Sequence, residues 1–299
     1  MKKGLLLLGV TGMLCFGANA QEAVKDTSYW TKGGNVGLSA GQVSLINWAG
    51  GGFNSVSGNG LVHLFANYKK DKNTWDNTLD LGYGLIRQDN SPWFKNNDRI
   101  ELNSKFGRQA SKDWYYSAFL NFQSQFAKGY ADVNAPKDAY ISRFLAPAFV
   151  YSGIGMDYKP NDNFSLFLSP ATAKLIVVND TMLSNAGAFG VTPGDVTRFE
   201  LGGYMSLMYK TDIMKNISFM TKLNLFSNYL EKPGNVDISW ETFLTMKVND
   251  YISASLTTHL IYDDNIHSAE LTDATTGLTR MAPGIQFKQV FGVGFAYKF

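Results

Sequence analysis

Cysteine is all but missing from this chain. The only one, Cys15, lies close to the N-terminus, so a disulfide framework or a thiolate metal site has nothing to be built from downstream. Histidine is almost as scarce: His63, His259 and His267 are scattered singly and form no ligand cluster. Charge of one predominant sign is absent too, with 27 Lys and Arg against 25 Asp and Glu, which leaves no electrostatic case for a nucleic-acid partner. Beyond Phe16 no apolar run approaches the roughly 20 residues of a spanning helix. Stability must come from the fold, no cofactor is implied, and membrane insertion, if it occurs, must use strands.

The N-terminus sets the expected compartment. Lys2 and Lys3 precede an apolar run from Leu5 to Phe16 and then Ala18-Asn19-Ala20, the layout of a secretory signal peptide cleaved after Ala20. A membrane anchor would need a longer run, and lipid attachment at Cys15 is disfavoured by the bulky Met13 and Leu14 before it. The expected division is a signal peptide at 1–20, a periplasmic segment at 21–30 and a barrel domain at 31–299. Removal of the signal peptide takes two basic residues and no acidic one, so the mature chain carries 25 charges of each sign.

What is plentiful is alternation. At the C-terminal end Phe291, Val293, Phe295, Tyr297 and Phe299 alternate with Gly292, Gly294, Ala296 and Lys298, which gives one aromatic face and one small or charged face. The same period of two sets Trp114, Tyr116, Ala118 and Leu120 against Tyr115, Ser117, Phe119 and Asn121. It also sets Trp240, Thr242 and Leu244 against Ser239, Glu241 and Phe243. Twelve such segments are expected, near 31–42, 57–70, 74–88, 98–109, 113–127, 144–159, 163–177, 196–211, 216–230, 236–248, 251–263 and 287–299. Their length suits a tilted membrane-crossing strand.

The connections decide between a soluble sandwich and a membrane barrel. Tight turns of Asp, Asn, Lys and Ser at Asp71-Lys72-Asn73, Ser111-Lys112, Asn161-Asp162, Asp212 to Lys215 and Asn249-Asp250 alternate with connections that are mostly longer. Short turns on one rim and long loops on the other are the habit of bacterial outer-membrane barrels, with both termini on the periplasmic side. The reading is therefore all-β: a closed antiparallel transmembrane barrel of about 12 strands in an up-and-down meander. Trp75, Trp114, Tyr158, Tyr209, Tyr229 and Tyr262 fall where aromatic girdles belong. Phe295, Tyr297 and Phe299 read both as girdle residues and as the C-terminal signal that hands such barrels to their assembly machinery.

Several stretches resemble a Bacteroidetes outer-membrane family, the domain of unknown function 3078. They are Trp30-Thr31-Lys32-Gly33-Gly34, the run from Ser44 to Gly52, the run from Trp75 to Gly84, Glu101 to Lys105, Trp114 to Ala118, Met156 to Pro160, and Leu168-Ser169-Pro170 leading to Val178-Asn179-Asp180. The resemblance implies an outer-membrane barrel and brings no activity, ligand or catalytic residue with it.

On the inward rows the alternation places Asp76, Asp80, Glu101, Lys105, Asp157, Arg198, Glu200, Lys222, Glu241, Lys247 and His259 as lumen-lining candidates. Buried charges need partners, so salt bridges across the lumen are the plain expectation and a polar solute path the alternative. Inward Tyr115, Phe119, Phe149, Tyr151, Tyr204, Phe226 and Phe243 narrow the bore. Eight strands leave an interior just filled by side chains and sixteen an aqueous channel; this barrel falls between, so a constricted pore or a closed barrel is expected.

Catalysis finds little support, since His63 and His259 point inward by parity, His267 lies in a loop and no nucleophile elbow is present. Asp263-Asp264-Asn265 lacks the spaced ligands of a calcium loop. The glycine-rich stretch from Trp48 to Ser55, with Ser57-Gly58-Asn59-Gly60 after it, reads as a loop tucked into the mouth with Trp48 and Phe53 as anchors, or as a ligand-contacting loop, with Trp48, Phe53 and Asn54 as its candidates. Pro147 and Pro170 predict a pair of bulges on neighbouring strands, a weak seam through which an apolar ligand could leave sideways. The leading functional expectation is a narrow outer-membrane pore or small-solute passage protein. A closed structural or surface-interaction barrel is the alternative and a lipid hydrolase the third reading. Membrane lipid, the assembly machinery and a small solute are the expected partners.

Overall fold

The protein is described here by a computed structural model covering residues 29–45, 54–89, 91–131, 134–249, 251–272 and 279–298. The expected signal peptide with its cleavage after Ala20, most of the segment 21–30, and Trp48, Phe53 and Phe299 lie outside the described residues.

Twelve long strands follow one another: β1 (Trp30–Val43), β2 (Ser55–Lys70), β3 (Asn73–Gln88), β4 (Phe94–Gln109), β5 (Trp114–Ser124), β6 (Ala148–Asn161), β7 (Phe164–Val177), β8 (Thr197–Met214), β9 (Ile217–Asn228), β10 (Val236–Lys247), β11 (Ile252–Tyr262) and β12 (Gln286–Lys298). Each pairs antiparallel with the next, and β12 returns to β1 through Asn35↔Lys298 to Ser39↔Gly294, closing a meander barrel. Closure leaves no open sheet edge, so the ladders are satisfied internally, the condition for crossing hydrocarbon with strands.

The wall is inside out relative to a water-soluble protein. Phe287, Phe291, Val293, Phe295 and Tyr297 are all exposed, as are Leu38, Leu61, Leu102, Tyr116, Ile154 and Trp240, while Glu101, Asp157, Lys174, Glu200 and Glu241 are buried. An apolar surface of this extent around a charged interior is stable only where hydrocarbon replaces water outside. The aromatic row read from the C-terminal segment is thus the outer face of β12.

Between the long strands the outer-rim connections fold further than the alternation foretold. Gly129–Tyr130 pairs with Tyr140–Ser142, and His267–Thr272 with Thr279–Pro283. A short helix α1 (Thr181–Asn185) starts at Asp180, whose side chain accepts from the Leu183 N–H at 3.0 Å and caps the first turn. Ala146, Ile176, Val178, Leu183 and Val191 pack into an apolar cluster with Tyr140, Phe149 and Phe189 against it. These connections therefore form a small core at the rim.

The paired-bulge expectation holds for one proline and fails for the other. Against both neighbours β7 carries one extra residue around Pro170, between Leu168 and Ala171 on the β6 side and between Ser169 and Thr172 on the β8 side, since Ile154↔Ala171 is followed by Met156↔Leu168 and Gly202↔Thr172 by Tyr204↔Ser169. Pro170 and Ala171 consequently both face outward, and the inward set changes from Ser165, Phe167 and Ser169 below to Thr172, Lys174 and Ile176 above. Pro147 precedes β6, where its missing N–H interrupts no ladder and no bulge is needed.

Candidate functional site

The inward rows converge on three tiers of charge. Three β4 residues of one parity, Arg99, Glu101 and Lys105, begin the first two. In the middle tier Arg99 forks between Glu101 on its own strand and Glu241 on β10, with Nη1 2.5 Å from the Glu241 Oε1 and Nη2 3.2 Å from its Oε2. Lys222 on β9 reaches the other Glu101 oxygen at 2.9 Å, and Asn103 and Asn121 donate to that oxygen. β4 and β10 are opposite walls, six strands apart whichever way the barrel is traversed. A guanidinium and a carboxylate from opposite walls that touch set a bar of side chains across the bore.

Nearer the short turns, Lys105 pairs with Asp157 at 2.7 Å, and Lys159 lies between Asp157 at 3.1 Å and Asp76 at 2.7 Å. Nearer the long loops, the fully buried Lys174 Nζ is surrounded by Asp237 at 2.7 Å, Glu200 at 3.2 Å and Asp263 at 3.5 Å. Beside it Arg198 binds Glu200 and reaches three mouth connections at once: the Gly190 carbonyl, Glu231 and Asn265. This upper tier ties the loops together over the lumen.

Aromatic rings fill the space between tiers. Phe119 stacks on Tyr204 with centroids 5.0 Å apart, Phe167 meets Phe119 edge-on, and Tyr151 bridges Tyr204 and Phe226. These rings are contributed by β5 through β9 and interleave with the ion pairs, with the Lys105 and Lys174 ammonium groups over the Phe167 and Phe226 rings at 5.6 and 5.1 Å.

The sequence-derived candidates fall into place unevenly. Asp76, Glu101, Lys105, Asp157, Arg198, Glu200, Lys222 and Glu241 all belong to the tiers. Asp80 stands apart, paired across the β2–β3 ladder with His63 at 2.6 Å. Lys247 needs correction: it ends β10 and is exposed at the short-turn rim, where the inward parity runs on but the enclosure has ended. Asn54 is a loop clasp, accepting from the Leu45 N–H and donating its own N–H and side-chain amide to Asp89. Phe295 and Tyr297 face outward next to the closing seam, opposite Leu38 and Val36.

Five charged members were not anticipated in the lumen: Arg99, Lys159, Lys174, Asp237 and Asp263. Arg99 shares the parity of Glu101 and Lys105 and could have been read from it. Lys174 could not, because the bulge below it reverses the parity of upper β7.

His259 also acquires an unforeseen neighbour. Its Nε2 lies 2.9 Å from the Ser239 Oγ and its Nδ1 3.8 Å from the Glu241 Oε1. The arrangement stops short of a hydrolytic triad. Glu241 is committed to Arg99, the Nδ1 contact is beyond hydrogen-bond length, and nearby main-chain N–H groups are used by the ladders with β9 and β11.

Residues 40–130 match the family model described as a protein of unknown function (DUF3078). The family read from the sequence motifs is thus found in this stretch. The DUF3078 segment takes in the motifs at Ser44 to Gly52, Trp75 to Gly84, Glu101 to Lys105 and Trp114 to Ala118, and supplies Arg99, Glu101 and Lys105 to the lumen. No curated protein matches the chain. Among solved structures it is similar to the translocator domain of the autotransporter NalP from Neisseria meningitidis, at TM-score 0.39 and 10% identity over 92% of this chain and 89% of that one. It is similar also to an outer membrane channel from Pseudomonas putida F1, at TM-score 0.40 and 12% identity over 93% and 100%. The TodX monoaromatic hydrocarbon channel follows at TM-score 0.34 and 10% identity over 91% and 90%.

Proposed function

We propose that this is an outer-membrane barrel whose lumen is closed at rest and which acts through its folded outer rim and its lipid-facing wall, not as a diffusion pore. One observation carries the reading: Arg99 and Glu241 meet from opposite walls at 2.5 Å. The aromatic packing around Tyr204 and the loop-tying contacts of Arg198 support it at two further levels.

Membrane lipid and the barrel-assembly machinery are the partners this reading implies, the second through the outward row ending in Phe295 and Tyr297. Solute passage would require the middle tier to part, which means separating carboxylates from cations in an enclosed space, a cost of several kcal/mol.

Planar-bilayer recording tests the proposal. The intact protein is expected to give no steady current, and Arg99→Ala combined with Tyr204→Ala is expected to give discrete openings. A constant ohmic current through the unaltered protein would overturn the closed reading in favour of a narrow pore.

A further inference from the structure

We propose that the outer wall across β7, β8 and β9 holds one acyl chain of an outer-leaflet membrane lipid. The inference rests on the wall facing hydrocarbon and is independent of whether the lumen is open.

A groove of about 540 Å³ runs along this wall between Leu168, Pro170, Gly203, Met205, Leu225 and Tyr229. That volume lies within the roughly 300–1,000 Å³ of ordinary ligand sites. Two local features carve it. The β7 bulge turns Pro170 outward beside Ala171, which spreads the wall, and Gly203 on β8 carries no side chain, so the Tyr229 ring can lie over it with its hydroxyl 2.6 Å from where a Cβ would stand. Tyr204 and Phe226 also line the groove, while their rings point inward and belong to the lumen packing.

Direction and depth argue for a lipid tail. The groove's upper end lies at the β9–β10 turn, where the Ser227 Oγ donates to the Pro233 carbonyl at 2.7 Å and Tyr229 stands exposed at the rim. From the pair Gly202↔Asn228 the wall descends three residues to Met205↔Leu225, about 10 Å along the strands. The strands of such barrels tilt by about 35–45° and their apolar band is about 25 Å tall, so this descent covers roughly 7–8 Å of depth, more than half of one leaflet's share. A chain whose headgroup rests beside the rim tyrosine would lie along the groove through the upper part of that leaflet.

The physics differs from binding out of water. Hydrocarbon surrounds the protein, so no hydrophobic effect drives the tail inward; retention comes from close contact with the fixed groove walls, Leu168, Pro170, Met205, Leu225 and Tyr229, that a loosely ordered neighbour cannot match. No step of transport is implied, since the lumen behind this wall is packed by the rings of Tyr204 and Phe226.

The test uses the full chain in phosphatidylcholine nanodiscs containing a small fraction of phosphatidylcholine with a mid-chain diazirine. After irradiation, adducts should concentrate several-fold on the peptides carrying Pro170, Gly203 to Met205 and Leu225 to Ser227, relative to the more exposed Phe287 and Phe291. Gly203→Phe should abolish that excess. A Cβ at this position would press only on the far end of the Tyr229 ring, 2.6 Å from its hydroxyl, which can swing aside. Leu225→Trp fills the groove from its other side and serves if the first variant does not fold. Even labelling around the wall, undiminished labelling of a folded filled-groove variant, labelling by a free diazirine fatty acid but not by the lipid, or cross-linking to a second copy at the groove would each overturn the proposal.

Discussion

Arg99 and Glu241 stand as far apart around the barrel as two positions can, and their side chains touch, with Nη1 2.5 Å from Oε1. The contact works like a tie-bar. Lys222 makes the second crossing from β9 to Glu101, so two cations and two carboxylates form one continuous chain across the lumen. Each carboxylate is almost fully buried and each has a cation, which is the condition under which a charged interior is tolerable.

Removing Arg99 alone should therefore hurt more than removing the whole crossing. Arg99→Ala leaves Glu241 enclosed without its cation and is expected to lower stability by about 3–5 kcal/mol. Arg99→Met with Glu241→Met is expected to cost less than the sum of the single changes, with a coupling of about 0.5–3 kcal/mol. Urea unfolding midpoints of the reconstituted protein, taken as a double-mutant cycle, check this. Strict additivity would mean that the pair does not tie the walls.

Lys174 serves the mouth as Arg99 serves the middle. Its ammonium is the shared partner of Glu200, Asp237 and Asp263, so Lys174→Met brings three carboxylates face to face with no cation at their centre. Their repulsion should drive Asp263 and the connection after it out of the mouth. Limited proteolysis from the outer side should then cut between Asp263 and Gln286 faster than in the unaltered protein, with the cleavage pattern at the short turns unchanged. Equal cutting rates would show that the connection is held by something other than Lys174.

How much of this was legible in the residues follows from the physics of strands. Period-two alternation fixed which faces are greasy, and it located the twelve strands to within a few residues of their observed ends. It placed Glu101, Lys105, Asp157, Lys222 and Glu241 inside because parity is a local property. Who meets whom across the lumen is not local: Arg99 and Glu241 lie in separate strands, and only barrel closure brings them together. Lys174 was hidden by a single residue. Pro170 signalled the bulge, but the reversal of facing above it has to be carried upward from the bulge to turn Lys174 from an outward residue into a buried one. The helix α1 and the rim core escaped because their segments are too short and mixed to show a period.

Asp180 gives the rim cluster a pH dependence whose sign can be worked out. Burial pushes its carboxyl up, but the Leu183 N–H, the Tyr140 hydroxyl and the Arg143 guanidinium, at 3.0, 2.7 and 2.9 Å, outweigh this and hold it below the ordinary carboxylate range. A carboxyl depressed by folding contributes stability that is present above its unfolded value, about 3.9, and is lost as pH falls through the lower folded value. The rim fold should thus be indifferent to acid down to about pH 5 and loosen only below about pH 4, where Asp180 takes up a proton and releases Arg143. The protection factor of the Leu183 amide in hydrogen exchange reports this directly, because that N–H donates to Asp180 itself. Asp180→Asn keeps an acceptor for the helix cap but carries no charge for Arg143. It should lower Leu183 protection at neutral pH and flatten its acid dependence. An acid-induced loss of the same size in Asp180→Asn would assign the transition to another group.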